Sequence, residues 1–173
     1  MERYIDVEAR FMLADEMITR GEIADAKAIL IRIIEDEPDF GRAHNHIGWI
    51  YWTKLGDFEK AAMHLDLAVK FSPEYPGGYH NCCWVAYEMG DFAKVFEVAE
   101  KGLNVKGVNK ANFFRVMAYA MEMNGELKAA IRLIEKAISV TTDNEMMDVF
   151  NKDIKRMTSK IGTFRRFFSY LTF

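Results

Sequence analysis

The sequence predicts an all-α protein: a stack of four helical hairpins closed by a capping helix. Two observations carry this. Gly21, Gly56, Gly90 and Gly125 recur at intervals of 35, 34 and 35 residues, each followed by an acid (Glu22, Asp57, Asp91, Glu126) and then an apolar residue (Ile23, Phe58, Phe92, Leu127). A period in the mid-thirties marks stacked supersecondary units, each of which needs its neighbours to bury its apolar face. Between the glycines, apolar residues step by three and four, the spacing of one helix face.

Taken in order, Val7, Phe11, Leu13, Ala14, Met17 and Ile18 define a helix over 6–19. Ile23, Ala26, Ile29, Leu30, Ile33 and Ile34 define a second over 22–36, bounded by Pro38, which has no N–H and restricts the residue before it. The same logic gives 40–54 and 57–71, 76–89 and 91–103, 109–123 and 126–140, hence hairpins near 6–37, 40–72, 76–105 and 109–141. The glycine between paired helices supplies the left-handed residue that closes a helix, and the acid behind it caps the next. A ninth helix starts at Thr142-Asp143. Met146, Met147, Phe150, Ile154, Met157 and Ile161 form its apolar side, with Lys152, Asp153, Lys155 and Arg156 opposite. One polar face is what the end of a stack requires, so 143–161 is the cap. Residues 1–162 form a single domain, and Gly162 ends the cap before a tail over 163–173.

The composition is half apolar and 28% charged, ordinary for a globular domain, and 173 residues bury a proper core. A net charge of −3 gives no whole-chain case for nucleic acid or an anionic membrane. No run of apolar residues spans a bilayer and the first residues are charged, which predicts a cytoplasmic protein. Cys82 and Cys83 are adjacent and read as two reduced core residues. No phosphate loop, nucleophile elbow or dinucleotide fingerprint is present, and His44 and His46 are too close in sequence to chelate from one helix face. The expectation is a non-catalytic protein with no cofactor and no metal.

These units resemble the tetratricopeptide repeat, a 34-residue helical hairpin. The second matches best: Ala43 to Tyr51 contains the apolar-Gly-x-x-Tyr pattern at Ile47-Gly48-Trp49-Ile50-Tyr51, followed by Gly56-Asp57-Phe58-Glu59-Lys60-Ala61, Leu65, Ala68 and Pro73. One extra residue around Lys54-Leu55 makes its interval 35. The first unit has Leu13-Ala14, Met17, Ala26, Leu30 and Pro38 in the same roles, and the fourth has Met117-Ala118, Ala130, Ile134 and Ala137. The third departs most, with Val95 for the close-packing alanine and Gly102 and Gly107 for alanine and proline. It should be the least stable arm, with Lys106–Asn109 its softest point.

The resemblance implies a right-handed superhelix whose concave face is lined by the first helix of each hairpin. Its ninth position holds Asp15, Trp49, Trp84 and Tyr119. One turn on come Ile18, Trp52 or Thr53, Tyr87 and Glu122; one turn back lie Phe11, Asn45, His80 and Arg115. The resemblance therefore implies a peptide-binding groove with Trp49, Trp52, Trp84, Tyr87 and Tyr119 as anchors and Asn45, His80 and Arg115 as polar orienters. Aromatics dominate binding hot spots, but at helical spacing they also fill space between hairpins, and both readings stay open. The Asn and basic residues that grip a partner's C-terminal carboxylate in some family members are missing here.

The function this implies is a scaffold or adaptor for a protein segment. The alternative is an assembly or secretion chaperone that holds a client. The tail, Thr163 to Phe173, has Phe164, Phe167, Phe168 and Leu171 on one helical face and Arg165 and Arg166 largely off it. It packs on its own domain, occupies a groove of its own or a second molecule, or meets a membrane surface.

Overall fold

A computed structural model describes the backbone of residues 2–171 and the side chains of residues 7–162. Among these residues every regular element is helical. The chain divides into two compact units, residues 1–89 and 90–173. Unit 1 holds α1 (Glu2–Arg20), α2 (Ile23–Asp36), α3 (Gly41–Ile50), α4 (Phe58–Phe71) and α5 (Pro76–Glu88). Unit 2 holds α6 (Phe92–Gly102), α7 (Lys110–Met123), α8 (Leu127–Val140) and α9 (Asn144–Leu171).

The extra residue of the second hairpin is absorbed as a turn of π-helix, Tyr51–Leu55, which prolongs α3. A π turn takes one more residue per hydrogen-bonded ring, so an insertion fits without breaking the helix. Gly56 follows at φ +65° and closes it. No non-glycine described residue adopts positive φ, which explains why glycine recurs at these turns.

The acids behind the glycines divide by length. Asp57 and Asp91 each accept the backbone N–H three residues on, at 3.0 Å. Glu22 and Glu126 make no cap bond, because the extra methylene carries the carboxylate past the N–H groups. Asp143 caps α9 through the N–H of Glu145 and Met146.

The core of unit 1 is mostly aliphatic and small, with Phe11 its one aromatic: Val7, Phe11, Ala14, Ala26, Leu30, Ile33, Ala43, Ile47 and Ile50. Leu13, expected in this stripe, is 43% exposed, because Val7, Phe11 and Ala14 already fill the face toward α2 and α3. The α3–α4 pair is close-packed at Gly48, where a Cβ would stand 2.7 Å from Leu65 and 3.2 Å from the Ala61 carbonyl. Unit 2 has its own core, in which Phe150 and Met157 of α9 join Ala111, Ala118, Ala130, Ile134 and Ala137.

One boundary differs from expectation. α9 does not stop at Gly162 but runs through it to Leu171. Gly162 is not among the positive-φ glycines, and an interior glycine costs a helix only about 1 kcal/mol. The side chains of the predicted tail, 163–173, lie outside the described residues.

Candidate functional site

All three tryptophans belong to unit 1, on α3 with its π turn and on α5. Trp49 is partly buried at the rim of the core, with the Lys54 ammonium 5.1 Å from its ring centroid. The i to i+5 geometry of the π turn brings Lys54 over Trp49, so the inserted residue shapes the surface here. Trp52 is also partly buried and lies outside the core cluster that Trp49 borders.

On α5 the indole N–H of Trp84 donates to His80 Nε2 at 3.2 Å. An indole nitrogen only donates, so Nε2 is the bare nitrogen of His80 and Nδ1 carries the proton. His80 Nδ1 faces Asn81 Oδ1 at 3.3 Å, and Asn81 Nδ2 donates to Asn45 Oδ1 at 2.9 Å. A directed chain thus runs from Trp84 through His80 and Asn81 into the α3–α5 seam. The ring of Tyr87 meets Trp84 edge-on, with centroids 5.9 Å apart at 86°. His80, Trp84 and Tyr87 are all partly buried and share one side of α5.

Asn45 plays another part than the one expected of it. It is only 4% exposed and its carbonyl oxygen is taken, so it positions Asn81 rather than a ligand. Asn81 is the link that sequence reasoning passed over. Its side chain acquires a role only when α5 is set beside α3. At the neighbouring α1–α3 seam, Asp15 bonds His46 at 2.9 Å, Phe11 meets the His46 ring edge-on at 4.8 Å, and Arg42 pairs with Glu8.

Arg115 and Tyr119 belong to unit 2, where the structure gives them a different job. Arg115 Nε donates to the Tyr119 hydroxyl at 2.8 Å, which donates to Asp153 Oδ2 of α9 at 2.7 Å. The other Asp153 oxygen accepts from Arg156 at 3.0 Å. Glu122 of α7 pairs with Arg156, and with Lys160 at 2.6 Å. Burial, with Asp153 beside it, pushes the Tyr119 phenol up to about 12. These side chains hold α9 along α7. Asp153, read from sequence as part of the polar side, is 8% exposed and at the centre of that network.

A second polar pair is internal. His44 Nδ1 of α3 lies 3.0 Å from His64 Nδ1 of α4, and His44 Nε2 lies 3.0 Å from the Pro38 carbonyl. That carbonyl only accepts, so His44 donates from Nε2 and accepts from His64 at Nδ1. Burial lowers His44, and burial together with His44 and Lys27 lowers His64 to about 4. Cys82 and Cys83 are buried thiols in no disulfide, and burial pushes the Cys83 thiol well up, away from the reactive thiolate. Among the described residues no three metal-ligating side chains gather, and no helix is long and apolar enough to cross a membrane.

Comparison with known proteins agrees with this architecture. Residues 41–75, the hairpin of Trp49 and Trp52, match the tetratricopeptide repeat family model. Stress-induced-phosphoprotein 1 of Caenorhabditis elegans is 27% identical over 120 residues, 65% of this chain and 36% of the relative, so the chain spans about a third of that protein's length. A structure from a functional characterisation of PilF of Pseudomonas aeruginosa superposes with a TM-score of 0.80 at 14% identity, covering 94% of this chain and 72% of that one. MamA of Desulfovibrio magneticus, from residue 41 to its end, gives a TM-score of 0.68 at 15% identity, covering 96% of this chain and 97% of that one. The family match and these relatives indicate no enzyme family. Residues 41–75 thus carry a tetratricopeptide repeat, set among similar helical hairpins that share its periodic turn glycines.

Proposed function

We propose that this chain is a protein-interaction scaffold that takes a peptide segment on the α3–α5 face of unit 1. Trp49, Trp52, Trp84 and Tyr87 would be its apolar anchors and His80 its polar orienter. Asn45 and Asn81 set the His80 and Trp84 geometry from behind. Arg115 and Tyr119 are left out of the binding set because Asp153 of α9 occupies them.

One observation carries the reading. Unit 1 buries mostly aliphatic side chains and alanine, with Phe11 and Tyr79 as buried aromatics, and leaves every tryptophan and Tyr87 partly exposed on α3, its π turn and α5. Large aromatics fixed by hydrogen bonds and edge-on contacts lose little rotamer freedom on binding, which is what makes them hot spots. A segment laid across them would bury their remaining surface.

Panning a random peptide library on the whole chain tests this. Enriched peptides are then titrated against wild type, Trp84→Ala and Trp52→Ala, after circular dichroism shows both variants folded. A hot-spot loss of about 2 kcal/mol predicts roughly 30-fold weaker binding in at least one variant. Failure to enrich any peptide, or equal affinity in all three proteins, would show that the aromatics are packing alone.

A further inference from the structure

The aromatic face of α3 and α5 has an uneven supply of hydrogen-bonding groups. Trp49 and Trp52 are partly buried, yet among the described residues neither indole N–H meets an acceptor. Both nitrogens are open to solvent. The Lys54 ammonium, 5.1 Å from the Trp49 ring centroid, adds another donor. Indole and ammonium groups donate and do not accept.

The acceptors along the seam are engaged. His80 Nε2 takes the Trp84 N–H, Asn81 Oδ1 faces His80 Nδ1, and Asn45 Oδ1 takes the Asn81 amide. On α1 the Asp15 carboxylate is bound to His46. The seam therefore offers a ligand aromatic rings and donors.

Peptide backbones differ in what they bring to such a surface. An ordinary extended segment brings an N–H for every carbonyl, and those N–H groups need acceptors. A helical segment keeps most of its carbonyls for itself. A proline-rich segment in the polyproline II form brings carbonyls free of internal hydrogen bonds, and each proline lacks the N–H. Its spacing fits as well. One polyproline turn of three residues advances about 9 Å. Packed helices lie about 8–10 Å apart, and α3 and α5 are close enough for Asn45 and Asn81 to bond. Aromatics on the two helices thus repeat at the period of one turn.

We propose that the ligand of this face is a proline-rich segment held as a polyproline II helix, which rests on the reading of α3 and α5 as a peptide-binding face. Trp49 and Trp52 donate their indole N–H groups to its carbonyls. Proline rings pack on the indoles and in the angle between Trp84 and Tyr87, whose rings stand at 86°. Such a segment is ordered before it binds, so little conformational entropy is lost.

The test is titration of fluorescein-labelled decaproline with the whole chain, followed by anisotropy, beside a flexible Gly-Ser decamer. Decaproline should bind and the Gly-Ser peptide should not. Trp49→Phe and Trp52→Phe keep an aromatic ring and delete the N–H. Each should weaken decaproline binding about 5- to 10-fold, the value of one hydrogen bond. Circular dichroism melts check that both variants fold. In wild type, the indole N–H resonances of Trp49 and Trp52 should move downfield on titration, a readout that needs no variant. No decaproline binding, indole resonances that stay in place, or equal affinity in the folded phenylalanine variants overturns the proposal. Library panning separates this from the broader reading. Enriched peptides without proline remove the proline-rich ligand and leave the scaffold standing, whereas no enrichment removes both.

Discussion

Substituting Gly48 by alanine puts two opposing effects on one methyl group. On propensity alone, alanine should stabilise α3 by about 1 kcal/mol. The surroundings reverse the sign. The new Cβ would stand 2.7 Å from Leu65 Cγ, 3.0 Å from its Cδ2 and 3.2 Å from the Ala61 carbonyl. Carbons pack best at about 3.5–4.0 Å, so the nearest contact is close to 1 Å too short. Leu65 is fully buried and has no solvent to swing into, and Ala61 presents main chain. The two helices must separate by tenths of an ångström along their whole contact. Overpacking costs about 1–3 kcal/mol, and with neither neighbour able to yield the upper half of that range applies, which less the propensity gain leaves a net loss of roughly 1–2 kcal/mol and a Tm lower by about 2–8 °C. Gly162 is the internal control. It also lies within a helix, but a Cβ there meets nothing within 4 Å. Gly162→Ala should stabilise by about 0.5–1 kcal/mol. Urea unfolding followed by circular dichroism measures both. A Gly48→Ala protein as stable as wild type would refute the close-contact argument.

Three further outcomes are expected. His64 is held near 4 and His44 is also lowered, so the unfolded chain takes up protons first as pH falls below about 6.5. Stability should be full above that value and decline toward pH 4, by on the order of 1–2 kcal/mol once solvent screening of the half-exposed ring is allowed for. Urea midpoints that do not change over this range in wild type, or that change equally in His64→Gln, would refute the assignment. Asp57→Ala should cost about 1 kcal/mol, whereas Glu22→Ala, which removes no cap bond, should cost a few tenths at most; thermal melts of both decide it. In hydrogen exchange, α6 and the loop after it, which carries Gly107 at φ +83°, should exchange faster than α4, because α6 has only 11 residues and ends on a glycine. Equal protection of the two helices would remove the third hairpin as the weak arm.

Much of the candidate site was legible in advance because it follows from helical periodicity. The positions of Trp49, Trp84 and Tyr87 on first helices come from counting between turn glycines. The inserted residue at Lys54-Leu55 was visible as a 35-residue interval, but its form was not. Whether an insertion becomes a longer loop or a π turn depends on whether packing on both sides of Tyr51–Leu55 keeps the helix axis in place. The aspartate caps were legible and the glutamate caps were misleading, since both carry the same charge and differ only in reach.

What the sequence by itself determined is local: the hairpin period, the glycine turns, the alanines at helix crossings and the start of the cap at Asp143. Each depends on conformational preference or on the spacing of residues within one helix. Only the tertiary structure decided how the polar side chains are used. Arg115 and Tyr119 are drawn to Asp153, Asn45 to Asn81 and His44 to His64, pairings between separate helices that no periodicity within one helix can choose. The same holds for Gly162. Its local preference is to end a helix, and a continuous α9 prevails because Phe150 and Met157 bury their full side chains on the hairpin behind it. Burial of that size outweighs a propensity cost of about 1 kcal/mol.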